Sequence, residues 1–308
     1  LPVTWPDEID EILGGDLAAM FTHLTPAKGT VPTPMAPLGL RDREAGTVTV
    51  TTAIGLYKKL AAVRRDPKVS LTFHAREQTS STRSDFVVVQ GRGVFPENPD
   101  REWLESITPQ WEKFLGERRT GLAGAWMRDY YWVRVPIVIE VERIVALDQP
   151  FSDLPPTVYG SPLPAPPPSQ RPPGKGVEPR IGTERVAADA RRLPHTLLSW
   201  ADGEGYPMAA EVKVEGVEER GVRISSAPGL LPEGKRRAGL TSHLFEAKMY
   251  GQEQRIHTGW LEVDERGAVY SPHTRAGYKL PSSGLAFTVA CGIVRARRRQ
   301  ARKAGFNA

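Results

Sequence analysis

The first half of the chain switches repeatedly between two hydrophobic periods. Glu8 to Leu17 carries Ile9, Ile12 and Leu13 at helical spacing and runs into the short apolar segment Met20 to Leu24. A turn, Thr25-Pro26-Ala27-Lys28-Gly29, separates that segment from an extended stretch, Val31 to Leu38. Thr47 to Thr52 (TVTVTT) has the β-branched enrichment of a strand. Leu56 to Arg65 returns to helical spacing and stops at Asp66-Pro67, because proline disfavours the helical region for the residue before it. Val69 to His74 and Phe86 to Gly91 read as strands. Asp100 to Leu115 reads as a helix with Trp103, Leu104, Ile107, Trp111 and Phe114 near one face, and Tyr130 to Ile144 as a long closing strand.

The second half repeats this order. Glu184 to Arg192 is predicted helical and Thr196 to Trp200 extended. The turn Ala201 to Gly205 leads into Tyr206 to Val214, and Gly221 to Ser226 is a strand. Gly234 to Thr241 is predicted as a short helix, Arg255 to Val263 as a strand, and Leu285 to Val294 as a further apolar strand before a basic run. From Thr22 to Lys59 is 37 positions and from Ser199 to Lys235 is 36, so one mostly-β unit is expected twice in tandem. Between the halves lies PPTVYGSPLPAPPPSQRPP, residues 155–173, which lacks large apolar side chains and favours extended polyproline conformation. It marks the boundary. The expected organisation is a first domain over 1–150, a proline-rich linker over 151–182, a second, degenerate domain over 183–294 and a basic tail over 295–308.

Composition narrows the classes. At 308 residues and 40% hydrophobic, the chain is long enough for two packed cores, which excludes global disorder. Its longest apolar run is about half of the roughly 18 residues that a membrane helix needs, so no membrane association is expected. One cysteine, Cys291, excludes intrachain disulfides and cysteine-based zinc sites. The opening on Leu1 reads as a trimmed or processed cytoplasmic protein. A net charge of +5 suits a phosphate-bearing partner and equally a plain globular surface. The basic run Arg295 to Lys303 lacks interleaved aromatics, so nucleic acid is not an expected partner.

The segment with chemistry in it is Thr47 to Phe73, TVTVTTAIGLYKKLAAVRRDPKVSLTF. A strand ends in two threonines, a glycine loop follows, and a lysine pair opens a short helix. Hydroxyls of Thr51 and Thr52, backbone amides near Gly55 and the Lys59 ammonium can converge on one phosphate. The same pattern also describes a solvated amphipathic helix with basic residues on its wet face. In the second repeat, SSAPGLLPEGKRRAGLTSH occupies the corresponding place. There Lys235, Arg236 and Arg237 offer a second phosphate site or a solvent-facing scaffold.

The ordered series Thr51, Thr52, Lys59, Arg64, Arg65, Asp66 and Pro67, with the upstream hairpin LTPAKGTVPTPMAPL, resembles the pyridoxamine 5'-phosphate oxidase-like family of split-barrel flavin and deazaflavin proteins. The resemblance covers about residues 8 to 145 and, more weakly, 184 to 290. It implies a mainly β fold with short helices, two tandem split β-barrels joined by the proline-rich linker. The barrels would form a pseudo-dimer within one chain, making the protein a monomer rather than a homodimer. It further implies that Lys59, helped by Lys58, Thr51 and Thr52, holds a cofactor phosphate, while Thr33, Pro34, Met35 and Ala36 line the ring and Tyr57 stands nearby.

The activity this implies is an FMN-dependent oxidoreductase acting on a small organic substrate, the cofactor lying in the groove between the barrels. Coenzyme F-420 is the alternative cofactor, its polyglutamate tail served by Arg64, Arg65 and Lys68. A non-enzymatic flavin- or haem-binding protein, with His243 or His257 as haem ligand, is the alternative of another class. Because the ring carries the redox chemistry, no catalytic side chain is assigned. His23 and His74 are the nearest polar candidates beside Tyr57. Six histidines without a short paired spacing give no metal motif. A Gly-x-Ser-x-Gly elbow, a P-loop and a dinucleotide fingerprint are all missing from the sequence.

Overall fold

Local sequence begins each half in the same way. In the computed structural model, which describes residues 2–96 and 100–306, α1 (Asp7–Gly15) opens on Asp7, Glu8 and Asp10, which suit the positive end of the helix dipole. Its buried face leads into the hairpin β1 (Ala19–Leu24) and β2 (Thr30–Met35), then β3 (Arg41–Asp42) and β4 (Thr47–Ala53). A single 3-10 turn, Ile54–Leu56, passes into α2 (Lys58–Arg65), which ends where Asp66, the residue before Pro67, is extended. β5 (Lys68–Phe73) and β6 (Phe86–Val94) follow. Four short helices are inserted next: α3 (Arg101–Ser106), α4 (Thr108–Leu115), α5 (Gly121–Trp126) and α6 (Arg128–Tyr131). β7 (Arg134–Leu147) and β8 (Thr157–Gly160) close the half. The second half runs α7 (Thr183–Arg192), β9 (His195–Ala201), β10 (Pro207–Glu211), β11 (Lys213–Glu218), β12 (Gly221–Ser225), β13 (Gly234–Leu244), β14 (Glu253–Asp264), β15 (Gly267–Lys279) and α8 (Gly284–Lys303).

The two sheets have one topology. The first is ordered β2-β1-β5-β6-β7-β4-β3, with β8 on β7, and the second β10-β9-β13-β14-β15-β12-β11, all neighbours antiparallel. Each curls around its own apolar interior, and the fold is a pair of tandem split barrels, mainly β with short helices. Phe21, Val50, Leu71, Val89 and Ile137 fill the first. Leu198, Val222, Leu240, Leu261 and Tyr270 fill the second.

The barrels meet through the edge strands. β2 carries Pro32 and Pro34 and β10 opens on Pro207, residues that cannot donate to a further strand, so each edge is covered by the opposite barrel instead. Thr30 Oγ1 donates to the Ser199 carbonyl at 2.7 Å, and Gln90 Nε2 donates to Asp202 Oδ2 and to the Pro207 carbonyl, each at 3.0 Å. Gly239 permits the approach, since a Cβ there would stand 2.4 Å from the Thr30 carbonyl oxygen. Met20, Phe86, Val88 and Leu147 of the first half belong to the same buried cluster as Leu198, Met208 and Leu240 of the second. The second barrel's apolar core is therefore shared across the junction with the first half.

Four expectations change. Residues Gly234 to Thr241 are the start of strand β13, not a helix, because β9 and β14 pair with them on both sides and pairing outweighs local propensity. Leu285 to Val294 is helical, the first half of α8, capped by Ser283 Oγ accepting from the Ala286 amide at 3.2 Å; a short apolar run is ambiguous between strand and helix. The helix expected over Asp100 to Leu115 breaks at Ile107 into α3 and α4. The proline-rich segment is docked, with β8 inside it. Its Gln170 amide donates to the Lys235 carbonyl at 2.7 Å, and Pro167 accepts from Arg236 Nη1 at 3.0 Å. Among the described residues no helix is long and apolar enough to cross a membrane.

Candidate functional site

The corner between β4, the 3-10 turn and α2 places Lys59 at the mouth of the first barrel. Its Nζ donates to the Pro34 carbonyl at 3.1 Å. Burial and the nearby positive charge of Arg134 lower its pKa from 10.5 to about 7. Arg134 opens β7 with its side chain buried. Its Nε donates to Thr51 Oγ1 and Nη2 to the Thr51 carbonyl, both at 3.0 Å, and Nη1 to the Tyr130 carbonyl at 3.2 Å. The guanidinium lies 4.8 Å from the ring centroid of Trp111 and 5.4 Å from that of Tyr130. Among the described residues no carboxylate pairs with either cation. A half-buried lysine beside a buried arginine, with no carboxylate on either among the described residues, makes a site suited to an anion.

The sequence-predicted residues separate on this corner. Lys59, Pro34 and, through Arg134, Thr51 come together. Thr52 does not, because successive strand residues face opposite ways: Val48, Val50 and Thr52 share the face of β4 turned into the barrel, where Thr52 Oγ1 is buried without a partner. Lys58 is exposed and projects away. Tyr57 packs on Phe306, with ring centroids 5.8 Å apart. Met35 lies in the first barrel's core, Thr33 Oγ1 donates to the Phe21 carbonyl at 3.3 Å, and Ala36 joins the cluster built by the inserted helices. The amides near Gly55 are not open to a ligand from outside. α8 crosses there, and a Cβ on Gly55 would stand 2.3 Å from the Val294 carbonyl oxygen.

Three residues were not foreseen as site residues: Arg134, Tyr130 and Trp111. One signal for Arg134 was present, a lone basic residue in the apolar run YYWVRVPIVIEV. Trp111, Tyr131, Met127, Phe287 and Cys291 form a third buried cluster that roofs the corner. Burial pushes the Cys291 thiol up to about 12, so it stays protonated.

The second repeat has no counterpart to Lys59. Only a loop joins β12 to β13 where the first repeat has α2, and Lys235, Arg236 and Arg237 are engaged by Glu262, the Pro167 carbonyl and Gln170. Arg64 lies 4.1 Å above the Phe306 ring, Arg65 donates to the Leu24 carbonyl, and Lys68 to that of Glu204. Each of the three is therefore engaged by a different partner. His23 is held to a pKa of about 4, first by burial and then by Lys59 and Arg65, so it stays neutral. His74 sits at the junction of the barrels. His243 and His257 are fully buried and present no nitrogen to solvent.

Fold and corner together define a tandem split-barrel protein with a half-buried lysine beside a buried arginine. Similar solved structures include a conserved hypothetical protein of Mycobacterium tuberculosis, 19% identical over 48% of this chain and 86% of that one, with a TM-score of 0.36. A haem-binding protein of Mycobacterium smegmatis is 15% identical over 97% of this chain and 99% of its own, with a TM-score of 0.34. A pyridoxamine 5'-phosphate oxidase-related FMN-binding protein of Nostoc punctiforme is 7% identical over 64% and 87%, with a TM-score of 0.30. No family model and no curated protein matches the sequence.

Proposed function

We propose that this chain binds a phosphate-bearing flavin, FMN, at the Lys59–Arg134 corner and works as a flavin-dependent oxidoreductase on a small organic substrate. The observation that carries the reading is the half-buried Lys59 beside the buried Arg134, with no carboxylate pairing with either among the described residues. A phosphate supplies the missing negative charge, and Lys59 and Arg134 hold it by charge-assisted hydrogen bonds. FMN, when bound, supplies hydride transfer through its ring. The chain's own residues position and exclude water: Thr51 orients Arg134, the Pro34 carbonyl orients Lys59, and the roof of Trp111, Tyr130 and Phe287 keeps the corner dry. FMN is preferred to F-420 because Arg64, Arg65 and Lys68 point to separate partners and leave a polyglutamate tail no basic track.

Titration of the full chain with FMN, riboflavin and F-420, followed by flavin fluorescence and calorimetry, tests the reading. FMN is expected to bind at least about tenfold more tightly than riboflavin, the contribution of one phosphate held by buried cations. Equal affinity for the two flavins, or none for either, would sink the assignment of this corner. Preferential binding of F-420 would replace the cofactor and keep the site.

A further inference from the structure

Five titratable side chains, distant in sequence, meet where the barrels join. His74 follows β5 in the first half. His195 opens β9 and Glu211 ends β10 in the second, with His243 on β13 and Glu77 in the loop after His74 beside them. His74, His195 and Glu211 each offer a ligand atom within 4.8 Å of the other two. We propose that His74, His195 and Glu211 form a site for one divalent transition-metal ion of the zinc class, which ties the two barrels together.

The donor set is two imidazoles and one carboxylate, a combination that suits zinc and leaves a position for water. Around a tetrahedral zinc ion such ligands stand roughly 3.3 Å apart, so binding draws together atoms that here lie within 4.8 Å of one another. A second layer is already built. Glu77 holds His195 Nε2, and His243 Nε2 meets His74 Nε2 at 2.9 Å, so both imidazoles are oriented by a partner outside the ligand set.

Without an ion the cluster is poorly satisfied. His74 Nδ1, His243 Nδ1 and Glu211 Oε2 are buried with no hydrogen-bond partner. Each carboxylate then needs its own proton on His195, Nδ1–H donating to Glu211 at 3.0 Å and Nε2–H to Glu77. A metal ion takes the place of the Nδ1 proton between His195 and Glu211 and gives the spare carboxylate oxygen a cation to coordinate. The side chain of Glu77 is 40% exposed, which gives the ion an entry path from solvent. This site and the Lys59 corner are independent readings.

The test uses the full chain, stripped by chelator dialysis and titrated with cobalt(II) and then zinc. About one cobalt per chain is expected, with the intense visible bands of a four-coordinate ion, bleached when zinc displaces it. Glu211→Gln and His74→Asn should each weaken binding by tenfold or more, while His273→Asn, away from the cluster, leaves it unchanged. Should the buried variants not fold, Glu77→Ala in the loop is expected to lower affinity about tenfold by freeing His195. Substoichiometric cobalt without the four-coordinate bands, or undiminished affinity in Glu211→Gln or Glu77→Ala, overturns the proposal.

Discussion

At the scale of single residues, Lys59 carries opposite consequences for stability and binding. Folding lowers its pKa to about 7 from 10.5, so between those values the unfolded chain binds more protons and stability rises with pH. Below about pH 7 Lys59 is charged in both states, and the folded protein bears the cost of its partial desolvation beside Arg134. Lys59→Met is therefore expected to raise the melting temperature at pH 6 by roughly 2–4 °C and to flatten its pH dependence between 7 and 10, both measurable by thermal melts. The same substitution should weaken FMN by about 10–100-fold and leave riboflavin unchanged. A bound phosphate restores the ammonium's charge, so FMN affinity should fall as pH rises above 7, by up to about tenfold per unit. Affinity independent of pH from 6 to 9 would show that Lys59 does not meet the phosphate. Lys59 itself was legible as a basic residue after a strand and a glycine turn. Its partner Arg134 was not, because 75 positions of chain separate them and only the pairing of β4 with β7 brings them together.

At the scale of elements, alternation and capping were readable where they were local and misread where pairing intervened. The end of α2 at Asp66-Pro67 follows from proline sterics alone. The strand β13 does not, since Gly234 to Thr241 contains nothing that forbids a helix until β9 and β14 enclose it. Helix α8 shows the converse. Its residues Phe287, Cys291 and Val294 are buried against the first half of the molecule, which no local pattern could announce. Gly55→Ala tests that contact directly. A Cβ 2.3 Å from the Val294 carbonyl oxygen must displace α8, and the expected loss is about 1–3 kcal/mol in a denaturant titration. Unchanged stability would mean that α8 rests on this turn too loosely to roof the Lys59 corner.

At the scale of the whole molecule, the two barrels act as one folding unit because they share a core. A single cooperative unfolding transition is expected, seen alike by tryptophan fluorescence and circular dichroism. Arg143 lies at the junction, 1% exposed, with Nη1 3.6 Å from Asp202 and Nη2 on Glu204. Arg143→Met should cost about 3 kcal/mol, the low end for breaking a buried pair, because Asp202 keeps Gln90 and the amides of Glu204 and Tyr206 as donors. Since each barrel already covers the other's edge strand, light scattering is expected to give a monomer; a tight dimer would show that the chain pairs through some further face.

The sequence by itself determined the elements that depend on neighbours along the chain: the strand periods, the proline-stopped helix, the repeated order of strands and a basic residue beside a turn. Length and apolar content also determined that the chain would bury packed apolar cores. Only the tertiary structure decided what meets across the chain. It set Arg134 beside Lys59, turned Thr52 inward, laid α8 over Gly55, and gathered His74, His195 and Glu211 at the junction of the barrels. The reason is physical. Period and propensity act over a few residues, whereas a site of clustered cations or converging imidazoles is made by strand pairing and shared burial between segments far apart along the chain.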